Sequence, residues 1–340
     1  MRVKKLAALI LCTAMLVTSA VPAAAVTAEM TVPDRISAKV SATAAEGWVR
    51  VGKEYKWRLS NGKILAKPGW YTLGGRRYYL GTGGVRRTGL FTTGSGIYYL
   101  STSTNKVNRG MVLTGLRSVK IKGKTYRFYF DSAAKGAALK NKWKTVGGYR
   151  YYFGSDGRAY TGCKVIAKRR YAFSGSGKLI VNKYAYKVGS RYYKIASNGV
   201  MTQLKKQVEI LAGIRLDKCK GDLKKAFNWS ASLRYRSSVP GAKTAENYGL
   251  YGFKNGAGDC YVMACTFYWM AKAKGMDAHF VKGTFKKTNG KGNHGWVEID
   301  EGGKTYVYDP NFTSQFKMNG YRITYGAKNT LKYLTHKRQN

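Results

Sequence analysis

A pair of aromatic residues recurs through the first half of this chain at a spacing of about 20 to 23 residues. Tyr78-Tyr79, Tyr98-Tyr99, Tyr151-Tyr152 and Tyr192-Tyr193 are the clearest copies, and Tyr171 with Phe173 is a variant. Tyr55 with Trp57, and Tyr126 with Phe128, Tyr129 and Phe130, fill the intervening places, with one longer interval from Ser101 to Lys124. Glycine pairs such as Gly74-Gly75 and Gly147-Gly148 sit just before the aromatics, as in GWYTLGGRRYYLGTGGVRRTG and WKTVGGYRYYFGSDGRAYTG. Two short aromatic strands around a glycine turn make a β-hairpin. One such hairpin cannot bury its own aromatic face, whereas a stack of them can. Residues 47–203 are therefore expected to form an all-β solenoid of stacked hairpins with aromatic pockets between units.

Charge narrows what such a stack can meet. The chain carries a formal net charge of +45. Between Gly47 and Gln203, 32 lysines and arginines face three acids, Glu54, Asp131 and Asp156. Acids that are nearly absent, rather than outnumbered, point to a polyanionic partner. Basic residues interleaved with tyrosines could also stack nucleobases. No helix-turn-helix, zinc-finger or RRM pattern accompanies them, so no dedicated nucleic-acid role is expected. The units resemble the cell-wall-binding, choline-binding and glucan-binding repeats of Gram-positive surface proteins, best at Trp143 to Gly162. That resemblance implies adhesion to a surface polymer. Arg76, Arg77, Arg86, Arg87, Lys168, Arg169 and Arg170 make an anionic wall polymer or polysaccharide the expected ligand.

The first 25 residues read as a signal peptide: Arg2, Lys4 and Lys5, an apolar run from Leu6 to Val17, then Ala23-Ala24-Ala25. That run is shorter than the ~20 apolar residues needed to cross a bilayer, and no later segment is apolar enough, so no transmembrane segment is expected. The protein is expected to be secreted and held at the cell wall or surface, with residues 26–46 as a linker. Beyond Cys12 the cysteines are Cys163, Cys219, Cys260 and Cys265, too few for a disulfide scaffold and without zinc spacing. No alternating-acid calcium loop occurs, and neither metal nor cofactor is expected.

After Gln203 the periodicity becomes helical, with Leu204, Val208 and Leu211, then Leu223 and Phe227, and residues 204–340 read as a separate α+β domain. Arg236 to Ala257, rich in Ser, Gly and Asn, reads as a loop. A helix over Cys260–Lys274 follows, with Asp259 as N-cap, a Met263/Phe267/Met270 stripe and Gly275 as stop. Cys260 then lies in the first turn, where the helix dipole favours negative charge on sulfur. Strand-like runs follow at 279–287, 294–301 and 304–310. A two-residue turn at Gly302-Gly303 pairs Glu301 with Lys304, which places His294 and Asp309 on one face a diagonal step apart. Cys265 and Cys219 read as core residues, His279 as a strand residue, and His336 as part of a polar tail.

The run GDCYVMA, then NHGWVEI, then YVYDPN resembles the transglutaminase-like domain of the papain-like cysteine superfamily. That resemblance implies a papain-like α+β fold and a catalytic triad: Cys260 as nucleophile, His294 as general base and later acid, and Asp309 orienting the imidazole. The Cys260 backbone N–H would be one oxyanion donor, with Trp229, Tyr251 and Asn255 as candidates for the second. The implied activity is acyl transfer to, or hydrolysis of, peptide, isopeptide or amide bonds in a peptide or protein substrate. The competing expectation is a non-catalytic adhesin or wall-binding protein whose C-terminal module only binds.

Overall fold

The computed structural model describes residues 44–339. The expected signal peptide, and most of the linker, lie outside the described residues. Seven hairpins follow one another: β1 (Gly47–Val51) with β2 (Glu54–Arg58), β3 (Gly69–Leu73) with β4 (Arg76–Leu80), and β5 (Gly89–Thr93) with β6 (Gly96–Leu100) plus a short β7 (Val112–Leu113). Next come β8 (Gly115–Ile121) with β9 (Lys124–Asp131) and β10 (Ala137–Ala138), then β11 (Lys142–Val146) with β12 (Tyr149–Phe153), and β13 (Gly162–Ile166) with β14 (Arg169–Phe173). The last has three strands, β15 (Lys183–Val188), β16 (Arg191–Ile195) and β17 (Met201–Leu204).

Strand alternation explains the doubled aromatic. In the second strand of a unit one member of the pair points inward: Tyr78, Tyr98 and Tyr151 are all at most 3% exposed. The neighbour reaches the next unit, as Tyr79 does to Phe91 at 4.5 Å and Tyr99 to Phe130, while the inward member is met by a ring of the unit before. Contacts run from Trp48 to Tyr78 (5.0 Å), Trp70 to Tyr98 (4.5 Å), Tyr99 to Phe130 (5.8 Å) and Trp143 to Tyr171 (5.2 Å), each pair spanning adjacent units. Backbone bonds from Ala159 N–H to the Arg127 carbonyl and from Leu179 N–H to the Arg150 carbonyl, both 2.8 Å, add inter-unit rungs. Gly74-Gly75 and Gly147-Gly148 are hairpin tips with both φ positive, as the strand twist demands. Ala167-Lys168 makes the same turn without glycine.

The architecture changes between Leu204 and α1 (Gln207–Lys218), beside the boundary read from the sequence. Then come α2 (Leu223–Ala231), a two-residue strand β18 (Arg234–Tyr235), α3 (Ala245–Asn255), β19 (Ala257–Gly258) and α4 (Cys260–Lys274). Four antiparallel strands follow, β20 (Asp277–Lys287), β21 (Gly290–Glu301), β22 (Lys304–Tyr308) and β23 (Tyr333–Gln339), in the order β22-β21-β20-β23, with α5 (Pro310–Phe316) after β22. α4 matches the expected span, with Asp259 capping Val262 N–H at 2.9 Å and Gly275 ending it in the left-handed region. It is the central helix. Val262, Ala264 and Cys265 are as buried as the expected Met263, Phe267 and Met270 stripe, because helices cover one side and the sheet another.

Three readings need correction. The stretch taken as a loop contains α3, capped by the Thr244 hydroxyl. Its glycines lower helix propensity but let two helices touch: a Cβ at Gly249 would lie 2.6 Å from Trp269, and one at Gly252 2.7 Å from Val262. The strand read as 304–310 stops at Tyr308, because Asp309 caps α5 and Pro310 occupies its first position. The polar tail is β23, which places His336 opposite Gly283 of β20 and stacks its ring on Tyr325 at 4.8 Å.

The last hairpin packs on α1. The Asp217 carboxylate accepts from Tyr184 N–H (3.2 Å) and Ala185 N–H (3.0 Å), and Lys194 Nζ donates to the Ala273 carbonyl at 2.6 Å. Tyr184 joins the buried cluster of Ala212, Leu216, Cys219, Ala226 and Met270. A Cβ at Gly213 would stand 2.5 Å from the Tyr184 carbonyl oxygen, a backbone atom that cannot swing aside. We predict that Gly213→Ala destabilises the chain by about 1–3 kcal/mol despite the better helix propensity of alanine. Calorimetry would show this as a lowered unfolding temperature, and an unchanged or raised temperature would mean that the seam is loose.

Candidate active site

Three local features converge. α4 opens at Cys260, which is half-buried, and an amide in the first helical turn has no carbonyl one turn earlier to bond to. β21 carries His294, which is 3% exposed. The β21–β22 hairpin has the expected register, Glu301 opposite Lys304 and Val297 opposite Tyr308, so the chain leaves β22 with Asp309 beside the His294 end of β21. His294 Nε2 and Asp309 Oδ2 are 2.6 Å apart. With Nε2 engaged, Nδ1 is the ring nitrogen left free, and Cys260 is close enough to the ring to help raise its pKa.

Asp309 is fully buried, and its carboxylate is held from three sides. Oδ1 accepts from Phe312 N–H at 2.9 Å, while Oδ2 accepts from the Tyr333 hydroxyl at 2.9 Å and contacts His294. Its backbone N–H donates to the Gly320 carbonyl at 2.8 Å. A carboxylate without exposure must be paired and hydrogen-bonded to persist, and this one is both. Burial pulls the imidazole pKa of His294 down. The Asp309 charge and its hydrogen bond, with a contribution from Cys260, outweigh that pull and push it up to about 10. Phe285 and Trp296 pack beside the ring at 5.3 and 5.9 Å, and Tyr333 stacks on it at 6.5 Å.

Tyr333 is the residue that sequence reading missed. It enters the site on β23, whose register is fixed by Arg338: the guanidinium donates to Glu298 Oε2 at 2.5 Å and takes both Asp300 oxygens at 2.8 and 2.9 Å. A second missed neighbour is Tyr235. The parallel β18–β19 bridge sets it opposite Gly258, two residues before Cys260. Its phenol pKa is raised by burial and by the charges at Cys260 and Asp259. The three residues considered for a second oxyanion donor have these surroundings. Trp229 stacks on Phe253 under Arg215, the Asn255 amide caps the Tyr251 carbonyl at 2.9 Å, and the Tyr251 hydroxyl accepts from Arg236 at 3.1 Å. Cys265 is fully buried, and burial drives its thiol pKa well up. His279, on β20, lies 3.4 Å from Asp277 and 3.6 Å from Asp300, an oxygen pair already taken by Arg338. No helix among the described residues is long and apolar enough to cross a membrane.

Known proteins match the repeats. Residues 140–184, which hold the β11–β12 and β13–β14 hairpins, match the choline-binding repeat family. Glucosyltransferase-S of Streptococcus mutans is 28% identical over 150 residues, covering 43% of this chain and 10% of that protein. Choline binding protein F from Streptococcus pneumoniae is similar at 28% identity and a TM-score of 0.35, over 47% of this chain and 48% of that one. Its structure in the presence of a peptidoglycan analogue is similar at 25% identity and a TM-score of 0.33, over 44% and 49%. The chain thus spans a tenth of the curated relative and about half of the solved ones. Residues 140–184 are thus of the choline-binding-repeat type, and that match ends well before Cys260.

The histidine–aspartate pair has a pH signature. His294 keeps its proton to higher pH in the folded chain than in the unfolded one. Its stabilising contribution is therefore fully present below about pH 6.5 and is lost as pH rises toward about 10. We predict that urea midpoints of the wild type fall toward those of His294→Gln across that interval. A wild-type advantage that grows with pH would contradict the raised value.

Proposed function

We propose that the basic hairpin array holds this protein at an anionic wall or surface polymer, and that the C-terminal domain is a papain-like, transglutaminase-like enzyme acting on peptide, isopeptide or amide bonds. The observation that carries the chemistry is the 2.6 Å contact of His294 Nε2 with Asp309, which leaves Nδ1 for Cys260 at the start of α4. A thiol, an imidazole and a buried carboxylate in that order form the arrangement nucleophilic acyl transfer requires.

His294 takes the Cys260 proton, and Asp309 stabilises the resulting imidazolium. The sulfur attacks the acyl carbon, and the Cys260 N–H, at the positive end of α4, faces the developing oxyanion. Collapse breaks the carbon–nitrogen bond, His294 returns its proton to the leaving amine, and a thioester remains. Water then gives hydrolysis, and a primary amine gives a new amide; either nucleophile loses its proton to the same ring. Tyr333 and Phe312 N–H keep Asp309 in place, so the ring stays aimed at the sulfur.

A second reading, favoured by the choline-binding repeat match at residues 140–184, is a wall-binding protein whose C-terminal module binds without turning over. Substitutions separate the two. Cys260→Ala should abolish turnover on glutamine-donor or peptidoglycan-stem substrates with the fold intact. Asp309→Asn should lower it by roughly 10²- to 10⁴-fold, since tautomer and orientation are lost rather than the bond-making group. Cys265→Ala should be nearly silent in activity, and combined triad losses should not add. Single-site, His294-dependent alkylation of Cys260 by iodoacetamide near pH 6 supports the enzyme, whereas ordinary thiol behaviour with no turnover supports the binding module.

A further inference from the structure

A cavity of about 510 Å³ opens at the junction of the fourth, fifth and sixth hairpins. Tyr126 and Arg127 come from β9, Asp156, Arg158 and Tyr160 from the segment after β12, and Lys164 from β13. The Ala159 N–H to Arg127 carbonyl bond ties the floor together, so the cavity is preformed by the stacking itself. Three cations line it against one carboxylate. That carboxylate, Asp156, reaches Arg158 at 3.5 Å and is more than half exposed, which leaves most of the positive charge uncompensated.

The cations are supported by rings instead. The Arg158 guanidinium lies 4.1 Å from the centroid of Tyr126, and Lys164 Nζ lies 5.5 Å from that of Tyr160. The same substitution of ring for acid recurs along the array, with Arg86 over Trp48 and Arg77 over Trp70 at 4.1 Å, and Arg150 over Trp143 at 4.4 Å. A ring face already covered by the chain's own cation has its quadrupole satisfied and meets an incoming cation with a positive field. An anion meets fixed, partly desolvated guanidinium groups. Ser118, Thr125, Thr161 and Ser176 add hydroxyls around the rim, suited to a ligand rich in hydroxyls.

We propose that this groove is a subsite for an anionic, hydroxyl-bearing polymer segment, bound through Arg127, Arg158 and Lys164 on a phosphodiester or carboxylate group. The proposal rests on the polymer-binding reading above and gives it an address. It assigns no role to quaternary ammonium groups at this groove, where the rings of Tyr126 and Tyr160 are covered by the chain's own cations.

The test is calorimetric titration of the whole chain with an oligo(glycerol phosphate), an oligogalacturonate, neutral dextran and choline chloride. One anionic oligomer should bind with an affinity that falls with salt, and the one that does names the anion; dextran and choline should not bind. Arg127→Gln/Arg158→Gln/Lys164→Gln should weaken that binding roughly tenfold or more. Lys53→Gln/Lys63→Gln/Lys67→Gln removes the same charge from exposed positions elsewhere and should change it far less. Asp156→Asn, which keeps the turn but deletes the groove's carboxylate, should tighten binding. Equal losses in the two triple variants would overturn the subsite while leaving the array a polyanion binder. Failure of both anionic oligomers to bind the wild type, or binding of choline instead, would overturn subsite and polymer reading together.

Discussion

Every hairpin in the array is too small to cover its own aromatic side chains, and this shortage of cover organises the rest of the molecule. Trp48 closes over Tyr78, Trp70 over Tyr98 and Trp143 over Tyr171, each in the following unit. A stack built on borrowed cover has an open end by construction. At the seventh hairpin that end is met by α1, where Gly213 admits the Tyr184 backbone and Asp217 accepts its amide. The C-terminal domain thus begins as the cap of the stack, and its helices inherit Tyr184 as part of their own core.

The site inside that domain depends on a second shortage, of water. Asp309 and His294 are both buried, so each must be satisfied by protein groups alone. The carboxylate meets that demand with three partners drawn from β21, α5 and β23. This spreads the anchoring of one side chain over elements far apart in sequence. A histidine so held cannot reorient its ring without breaking a short charged hydrogen bond, and that restraint leaves Nδ1 as the free ring nitrogen. Cys265, one turn and a residue further along α4, has the same chemistry but neither a charged partner nor exposure.

What could be read in advance follows from how local each signal is. The hairpins were legible because tyrosine pairs and paired glycines lie within one unit, and α4 because Asp259, the apolar stripe and Gly275 lie within one helix. The placement of Cys260 was reachable from α4, and that of His294 on one face with Asp309 from the register of a two-residue turn at Gly302-Gly303. α3 was not, because its glycines are chosen for Trp269 and Val262 on another helix rather than for helix propensity. β23 was hidden for a similar reason. Residues 333–339 carry little hydrophobic alternation, and the strand is held by Arg338 reaching Glu298 and Asp300 on β21. Tyr235 came from a strand of two residues, which leaves no periodicity to detect.

The end-capped stack also decides how the protein would carry a mechanical load. If the array is fixed to a surface and the C-terminal domain is pulled by what it grips, tension passes along the units in series. Each unit pairs its own strands and leans chiefly on its neighbours, so units giving way one at a time would lengthen the tether without disturbing the buried carboxylate. The Tyr184 seam is the joint where that tension enters the domain. There it bears on α1 and on the end of α4 far from Cys260, through Asp217 and the Ala273 carbonyl. The end of the domain that takes the load and the end that carries Cys260 are therefore opposite ends of one helix.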